Sequence, residues 1–119
     1  MSRTIRFHKF GPAEVLKCEE HEVAAPAPGE VQVRVEAIGI SWYDVLWRQN
    51  LAPSHARLPA GIGHEMAGVV TAVGAGVEDL AIGDKVASFP GQSANDYPTY
   101  GELILMPRST LTRYPDVLS

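Results

Sequence analysis

Between Gly61 and Val77 the chain places five glycines in 17 residues, and a sixth follows at Gly83. Glycine is used where a backbone needs positive φ or passes close to another group. Between these glycines lies a β-rich run, Val69 to Val73, and Gly74-Ala75-Gly76 then reads as a turn. Ile82-Gly83-Asp84-Lys85-Val86 leads into a further strand, while the strongly polar pair His64-Glu65 stands just before the run. The segment therefore predicts a turn, a charged pair, a buried strand, a second turn and a second strand.

The flanking sequence has the same texture. Ile5 and Phe7 alternate with basic neighbours, as on a half-buried strand, and Gly11-Pro12-Ala13 makes a turn. Residues 15–23 read as a loosely alternating second strand. Cys18, its glutamate neighbours and His21 raise the idea of a metal site, but a strand sends neighbours to opposite faces. A solvated edge strand with a small buried thiol is expected there. Residues 24–29 form a loop. In residues 30–37, Val31, Val33 and Val35 face inward against Gln32, Arg34 and Glu36, the clearest strand in the chain, and Gly39 ends it. Ser41 can cap the amide three residues on, where Asp44 supplies the matching carboxylate, so a short helix is expected to about residue 48 or 49. Residues 50–60, with Pro53 and Pro59, read as a loop. Residues 86–89 form a strand and 90–98 a polar, flexible surface loop. Residues 100–106 form a strand with Leu103 and Leu105 opposite Glu102 and Ile104. Residues 111–114 are a last extended piece, and Pro115-Asp116 starts a turn. About seven short strands and a single short helix predict a mainly β barrel or sandwich.

Composition narrows the function classes. A chain of 119 residues suits one domain with a single core. Ten Lys and Arg against 14 Asp and Glu give a net charge of −4 with no basic cluster, which argues against nucleic acid as a partner. Cys18 is the only cysteine, too few for an intrachain disulfide framework or a multi-cysteine zinc site. No N-terminal apolar segment reads as a signal peptide, and no apolar run reaches the ~20 residues of a membrane helix. A soluble cytoplasmic protein is expected.

Gly63-His64-Glu65, Gly68, Val73-Gly74 and Gly83-Asp84-Lys85-Val86 together resemble the signature of the medium-chain dehydrogenases and reductases, the superfamily of zinc-type alcohol dehydrogenases and quinone reductases. Gly11-Pro12-Ala13 with Val15-Leu16 resembles the opening hairpin of that family. Pro26, Gly29-Glu30-Val31 and Val33 to Val35 resemble its next strand, Ala37-Ile38-Gly39-Ile40 with Asp44 its first active-site turn, and Tyr100-Gly101-Glu102 a later strand. The resemblance covers nearly all of the chain but only the family's first half. It implies a mainly β fold with short helices over residues 1–119, the GroES-like, partly open β-barrel that forms the catalytic domain.

The same resemblance implies a chemistry. In metal-dependent members a cysteine opens the first active-site turn, and here that position is Ser41, a neutral hydroxyl and a poor zinc ligand. His64 and Glu65 match the family's histidine and glutamate and would be the metal ligands of a zinc-dependent form, but they supply two ligands at most. The expected reading is zinc-independent: His64 and Glu65 form an orienting pair beside a cleft. The zinc-free quinone oxidoreductases and enoyl reductases resemble the chain better. Their cofactor, NADPH, carries a hydride to a quinone, enone or carbonyl acceptor, while protein groups orient it and place a proton. By match to the motif, Ser41, Tyr43 and His64 are the candidate catalytic residues. Ser41, Trp42, Asp44 and Arg48 are the candidate cofactor contacts, with Ser41 and Asp44 near the nicotinamide. Packing roles for Trp42 and Tyr43, and a solvated Arg48, are the alternatives, and Trp47 reads as core or cleft wall. Asn50-Leu51-Ala52 lacks the tyrosine that several relatives carry after this helix, which argues against an enoyl reductase.

No Gly-x-Gly-x-x-Gly turn between a strand and a helix occurs in the sequence. The chain is therefore expected to be the catalytic part of a longer oxidoreductase, a homodimer in that longer form. Alone it should be inactive, bind NADPH weakly or not at all, and leave apolar surface exposed. The other readings are a zinc-dependent alcohol dehydrogenase-like half and a non-enzymatic barrel acting as an interaction module.

Overall fold

A computed structural model describes residues 2–88 and 93–115. Among the described residues there are eight strands and one α-helix. The strands are β1 (Ser2–Phe7), β2 (Leu16–His21), β3 (Glu30–Gly39), β4 (Ala60–Gly61), β5 (Glu65–Val73), β6 (Lys85–Ser88), β7 (Leu103–Pro107) and β8 (Leu111–Arg113). Helix α1 spans Trp42–Arg48, and 3-10 turns cover Ala13–Val15 and Arg108–Thr110. The expected mainly β architecture with short helices is present, arranged as two sheets that do not close into one barrel. A three-stranded sheet has the order β2-β1-β4, and a five-stranded sheet has the order β7-β3-β5-β6-β8. All their pairings are antiparallel.

Each sheet carries its own core. Val31 and Val33 on β3, Val70 on β5, Val86 on β6 and Met106 on β7 are at most 1 % exposed and pack with Met66, Leu80, Ile104 and Leu111. The second cluster joins Phe7, Val15, Trp47, Ala52, Ala60, Ile62 and Ala94 between the small sheet and α1. Register explains which faces turn inward. Val31 lies opposite Val73 and Met106, and Val33 opposite Val70 and Ile104, so one face of the large sheet becomes continuously apolar.

Several local expectations are corrected. The buried face of β7 is Ile104 and Met106, while Leu103 and Leu105 are half-buried. Cys18 is exposed, on the edge strand β2. Ala60 and Gly61 are not loop but a two-residue strand paired with Arg6 and Phe7. The central strand starts earlier than expected, at Glu65. The described part of the 90–98 loop is anchored: Ala94 is 1 % exposed, Asn95 Oδ1 accepts the Arg57 N–H at 2.8 Å, and the Tyr97 hydroxyl donates to Glu30 at 2.7 Å. The expected strand end at Phe89, the start of that loop and the turn at Asp116 lie outside the described residues.

Two register shifts interrupt the β3–β5 ladder, between Gln32 and Val33 and between Val35 and Ala37. Gly68 sits between them, opposite Val35, and a Cβ there would meet the Arg34 carbonyl and, at 2.8 Å, the Val33 side chain. Strand β5 can lie this close to β3 only with a hydrogen at that position. Gly68→Ala is expected to cost about 1–3 kcal/mol, the usual range for overpacking, read as a fall in the urea midpoint.

Candidate functional site

The site forms at the first turn of α1, against the core of the small sheet. Ser41 and Asp44 form a capping box at the helix start. Asp44 Oδ2 accepts the Ser41 N–H at 3.2 Å, and the Asp44 N–H donates to the Ser41 carbonyl at 3.1 Å. This local bond turns the Asp44 side chain back under the helix, where the residue is 2 % exposed.

Two distant segments complete the carboxylate's shell. His64 Nδ1 lies 2.7 Å from Asp44 Oδ1, and the Tyr100 hydroxyl donates to Oδ2 at 2.8 Å. Burial pushes the Asp44 carboxyl up, but the bonds from His64, the Ser41 amide and Tyr100 outweigh it and hold the group below its ordinary range. An ionised carboxylate has no proton to give, so the proton shared with His64 sits on Nδ1. Tyr100 is shifted the other way: burial first, then the bond to Asp44, hold its hydroxyl protonated well above the usual phenol range.

The backbone explains how Tyr100 arrives. Its N–H donates to the Ile62 carbonyl at 3.0 Å, and its own carbonyl accepts from the Ile5 N–H at 2.8 Å and the Thr4 hydroxyl at 3.1 Å. Gly63 lies beneath, at φ +108°, and a Cβ there would meet the Thr99 hydroxyl and the Tyr100 ring. Both its conformation and its lack of a side chain are therefore required. Around the imidazole, the Tyr43 ring makes an edge contact at 4.6 Å between centroids and the Trp47 ring another at 5.9 Å. Trp47 is core, 1 % exposed, with its indole N–H on the Gly61 carbonyl at 3.0 Å.

The expected site residues thus fall into two groups. Ser41, Tyr43, Asp44 and His64 come together. Trp42, 73 % exposed, and Ile40, 77 % exposed, flank Ser41 on the surface. Arg48 lies at the far end of α1, tied to the Gly11 turn by its guanidinium on the Gly11 carbonyl at 3.2 Å. Tyr100 was not among the expected site residues. It stands 56 residues from Asp44 in sequence, and nothing in its own neighbourhood signals the pairing.

Comparison with known proteins agrees with this architecture. The Alcohol dehydrogenase GroES-like domain family matches residues 27–116. The chain belongs to that family. It is 38 % identical over 116 residues to a quinone oxidoreductase of Pseudomonas aeruginosa, covering 98 % of this chain and 34 % of that protein. A crystal structure of the Pseudomonas syringae pv. Tomato DC3000 quinone oxidoreductase matches with TM-score 0.90 at 38 % identity, over all of this chain and 35 % of that one. The Escherichia coli quinone oxidoreductase complexed with NADPH matches with TM-score 0.86 at 34 % identity, again over all of this chain and 35 % of its own. The GroES-like chain therefore spans about a third of the length of these relatives.

The residues present can be tested against the groups the family implies. On the side of the candidate cofactor contacts, the chain presents exposed apolar Ile40 and Trp42 on either side of half-buried Ser41. A glycine-rich phosphate cradle is not part of this surface. For zinc, a histidine whose second nitrogen meets a carboxylate is a common ligand arrangement. The rest of the donor set does not fit. Among the described residues no three His, Cys, Asp or Glu are gathered to hold a metal ion, and Ser41 brings only a hydroxyl.

The two shifted groups set a pH window for folding. Asp44, lowered in the fold, contributes stability that is whole above its unfolded pKa of about 4 and is lost as pH falls further. Tyr100, raised in the fold, contributes stability that is whole below about pH 10 and is lost as pH rises, and Tyr97, raised mainly by its bond to Glu30, adds to the same limb. Urea midpoints measured from pH 3 to 11 should show a plateau between those limbs. Tyr100→Phe should lower the plateau by about 1.5–3 kcal/mol and shrink the alkaline limb without abolishing it.

Proposed function

We propose that this domain is the catalytic part of a longer, zinc-independent, NADPH-dependent oxidoreductase that reduces a quinone or a related conjugated carbonyl compound. The observation that carries the reading is the buried Asp44 carboxylate that holds His64 beside Tyr43 and accepts the N–H of Ser41, which exposed Ile40 and Trp42 flank. The names of the quinone oxidoreductases it resembles, one of them complexed with NADPH, support the cofactor and the acceptor class.

In this reading the cofactor, when bound, supplies the hydride, and the chain supplies the surroundings. Ile40 and Trp42 give an apolar wall that excludes water from the nicotinamide end. The Ser41 hydroxyl orients polar atoms at the edge of that wall. Tyr43 and His64, in ring contact with each other, are assigned to the acceptor oxygen that gains negative charge on reduction. The Tyr43 phenol can donate a hydrogen bond or a proton there. Asp44 acts from below, as the anchor of His64, and Arg48 stabilises the Gly11 turn. A flat, electron-poor acceptor suits the exposed apolar Ile40 and Trp42 side chains better than a small alcohol does. The longer enzyme is proposed to work as a cytoplasmic homodimer, as the resemblance to the family implies.

One observation favours a second reading. The Asp44–His64 pair has the form of a carboxylate behind a histidine ligand, so a zinc-dependent dehydrogenase is tested by metal analysis, where stoichiometric zinc would support it.

By itself the chain should show no saturable NADPH binding by fluorescence titration, and micromolar affinity would overturn that expectation. The activity is tested by joining this chain to the remaining two thirds of the Pseudomonas aeruginosa quinone oxidoreductase. NADPH-dependent reduction of 1,4-naphthoquinone by the joined protein is expected. Tyr43→Phe should lower its kcat by about 10²-fold, the low end for a general acid, with little change in NADPH affinity. A joined protein that binds NADPH and leaves quinones unreduced would sink the proposal.

A further inference from the structure

Among the residues around Asp44, Tyr100 has no counterpart among the catalytic or cofactor contacts proposed above, yet it is the most firmly placed. Three backbone bonds fix it: to Ile62 at 3.0 Å, from Ile5 at 2.8 Å and from Thr4 at 3.1 Å. Its ring lies over Gly63, the residue preceding His64, where a Cβ would collide with it. Its hydroxyl donates to Asp44 Oδ2 at 2.8 Å, while His64 meets Oδ1 at 2.7 Å. The two oxygens of one buried carboxylate are thus divided between a phenol and an imidazole.

This division has a chemical consequence. A hydrogen bond to one carboxylate oxygen withdraws charge from the other, because the two share one delocalised electron pair. In a site where the carboxylate is 2 % exposed, water cannot make up the difference. The charge that Asp44 directs at His64 is therefore set by how strongly Tyr100 donates on the far side. The Ser41 amide, at 3.2 Å on the same oxygen as Tyr100, is the longer of the two contacts there. Two further ionisable neighbours among the described residues are Tyr43, edge-on to the imidazole, and the exposed Glu65, next in the chain. Neither bonds to this carboxylate among the described hydrogen bonds.

We infer that Tyr100 is a positioning residue for His64, acting through Asp44: it fixes the carboxylate plane and takes part of its charge, so that His64 is held with its proton on Nδ1 by a tempered acceptor. The inference rests on the reading of His64 as a site residue only for its importance to catalysis. The geometry and its test stand without that reading. The role differs from structural support, because it predicts an electronic response at His64 to a change made solely in the Tyr100 hydroxyl.

The test is long-range 1H–15N NMR of the ring nitrogens at fixed neutral pH, read through the carbon-bound ring protons, with His64 assigned by comparison with His64→Gln. In the unsubstituted protein Nδ1 should have the shift of a protonated nitrogen. Tyr100→Phe removes the donor, so Asp44 becomes the stronger acceptor and Nδ1 should move downfield. Replacing Tyr100 by 3-fluorotyrosine keeps the ring, the packing and the fold but sharpens the donor, and Nδ1 should move upfield. Opposite shifts in the two proteins support the inference; should Tyr100→Phe fail to fold, the upfield shift with 3-fluorotyrosine alone decides. An unprotonated Nδ1 in the starting protein, or a resonance that stays in place with 3-fluorotyrosine, overturns it. Quinone reduction does not enter these readouts, so the failure of the proposed activity and the failure of this inference are separate results.

Discussion

A carboxylate that is 2 % exposed dominates this small domain. Removing a charge from water costs several kcal/mol even after relaxation, and the cost is recovered only when donors surround it in good geometry. Asp44 has three: a backbone amide from its own turn, an imidazole 20 residues on and a phenol 56 residues on. Each donor comes from a different part of the chain. The helix start, the entry to β5 and the segment before β7 must therefore be in register with one another for the charge to be tolerated at all.

That requirement explains much of the surrounding architecture. The two sheets have separate apolar cores, and Tyr100 packs on that of the small sheet, bonded through its backbone to β1 and to residue 62 and through its hydroxyl to α1. Gly63 has to be a glycine so that the Tyr100 ring can sit over it, and Gly68 so that β5 can approach β3. The glycine density of the central segment thus has several causes, among them close approach of strands at Gly68, close approach of a site residue at Gly63 and a positive φ at Gly63 and Gly76. Trp47 closes the arrangement from below, packing against the imidazole while its N–H holds the Gly61 carbonyl.

Legibility in the sequence followed the strength of each local signal. Strand β3 was readable because Val31 and Val33 alternate with polar residues, and both are fully buried. The α1 start was readable because a capping box is made by residues three apart. Strand β7 was readable as a strand but not in phase: residues 103–106 are all apolar, so period two marks no face. Pairing with β3 settles it, since Ile104 lies opposite Val33 and Met106 opposite Val31. Strand β4 was not readable, because two residues carry no period. Cys18 looked like a buried thiol because small thiols usually are buried, but an edge strand leaves it in solvent.

The amino-acid sequence by itself determined the β-rich class, the turns, the short capped helix and the family, since all of these depend on residue types within a few positions of one another or on a spaced motif. Through the family resemblance it also supplied Ser41, Tyr43 and His64 as catalytic candidates and Ser41, Trp42, Asp44 and Arg48 as cofactor contacts. Only the tertiary structure decided what those residues do to each other. It buried Asp44, left Trp42 exposed, sent Arg48 to the Gly11 turn and brought Tyr100 onto the carboxylate. The physical reason is that the energy of a buried charge depends on donors gathered from segments far apart in sequence, and no local pattern records which donors will meet.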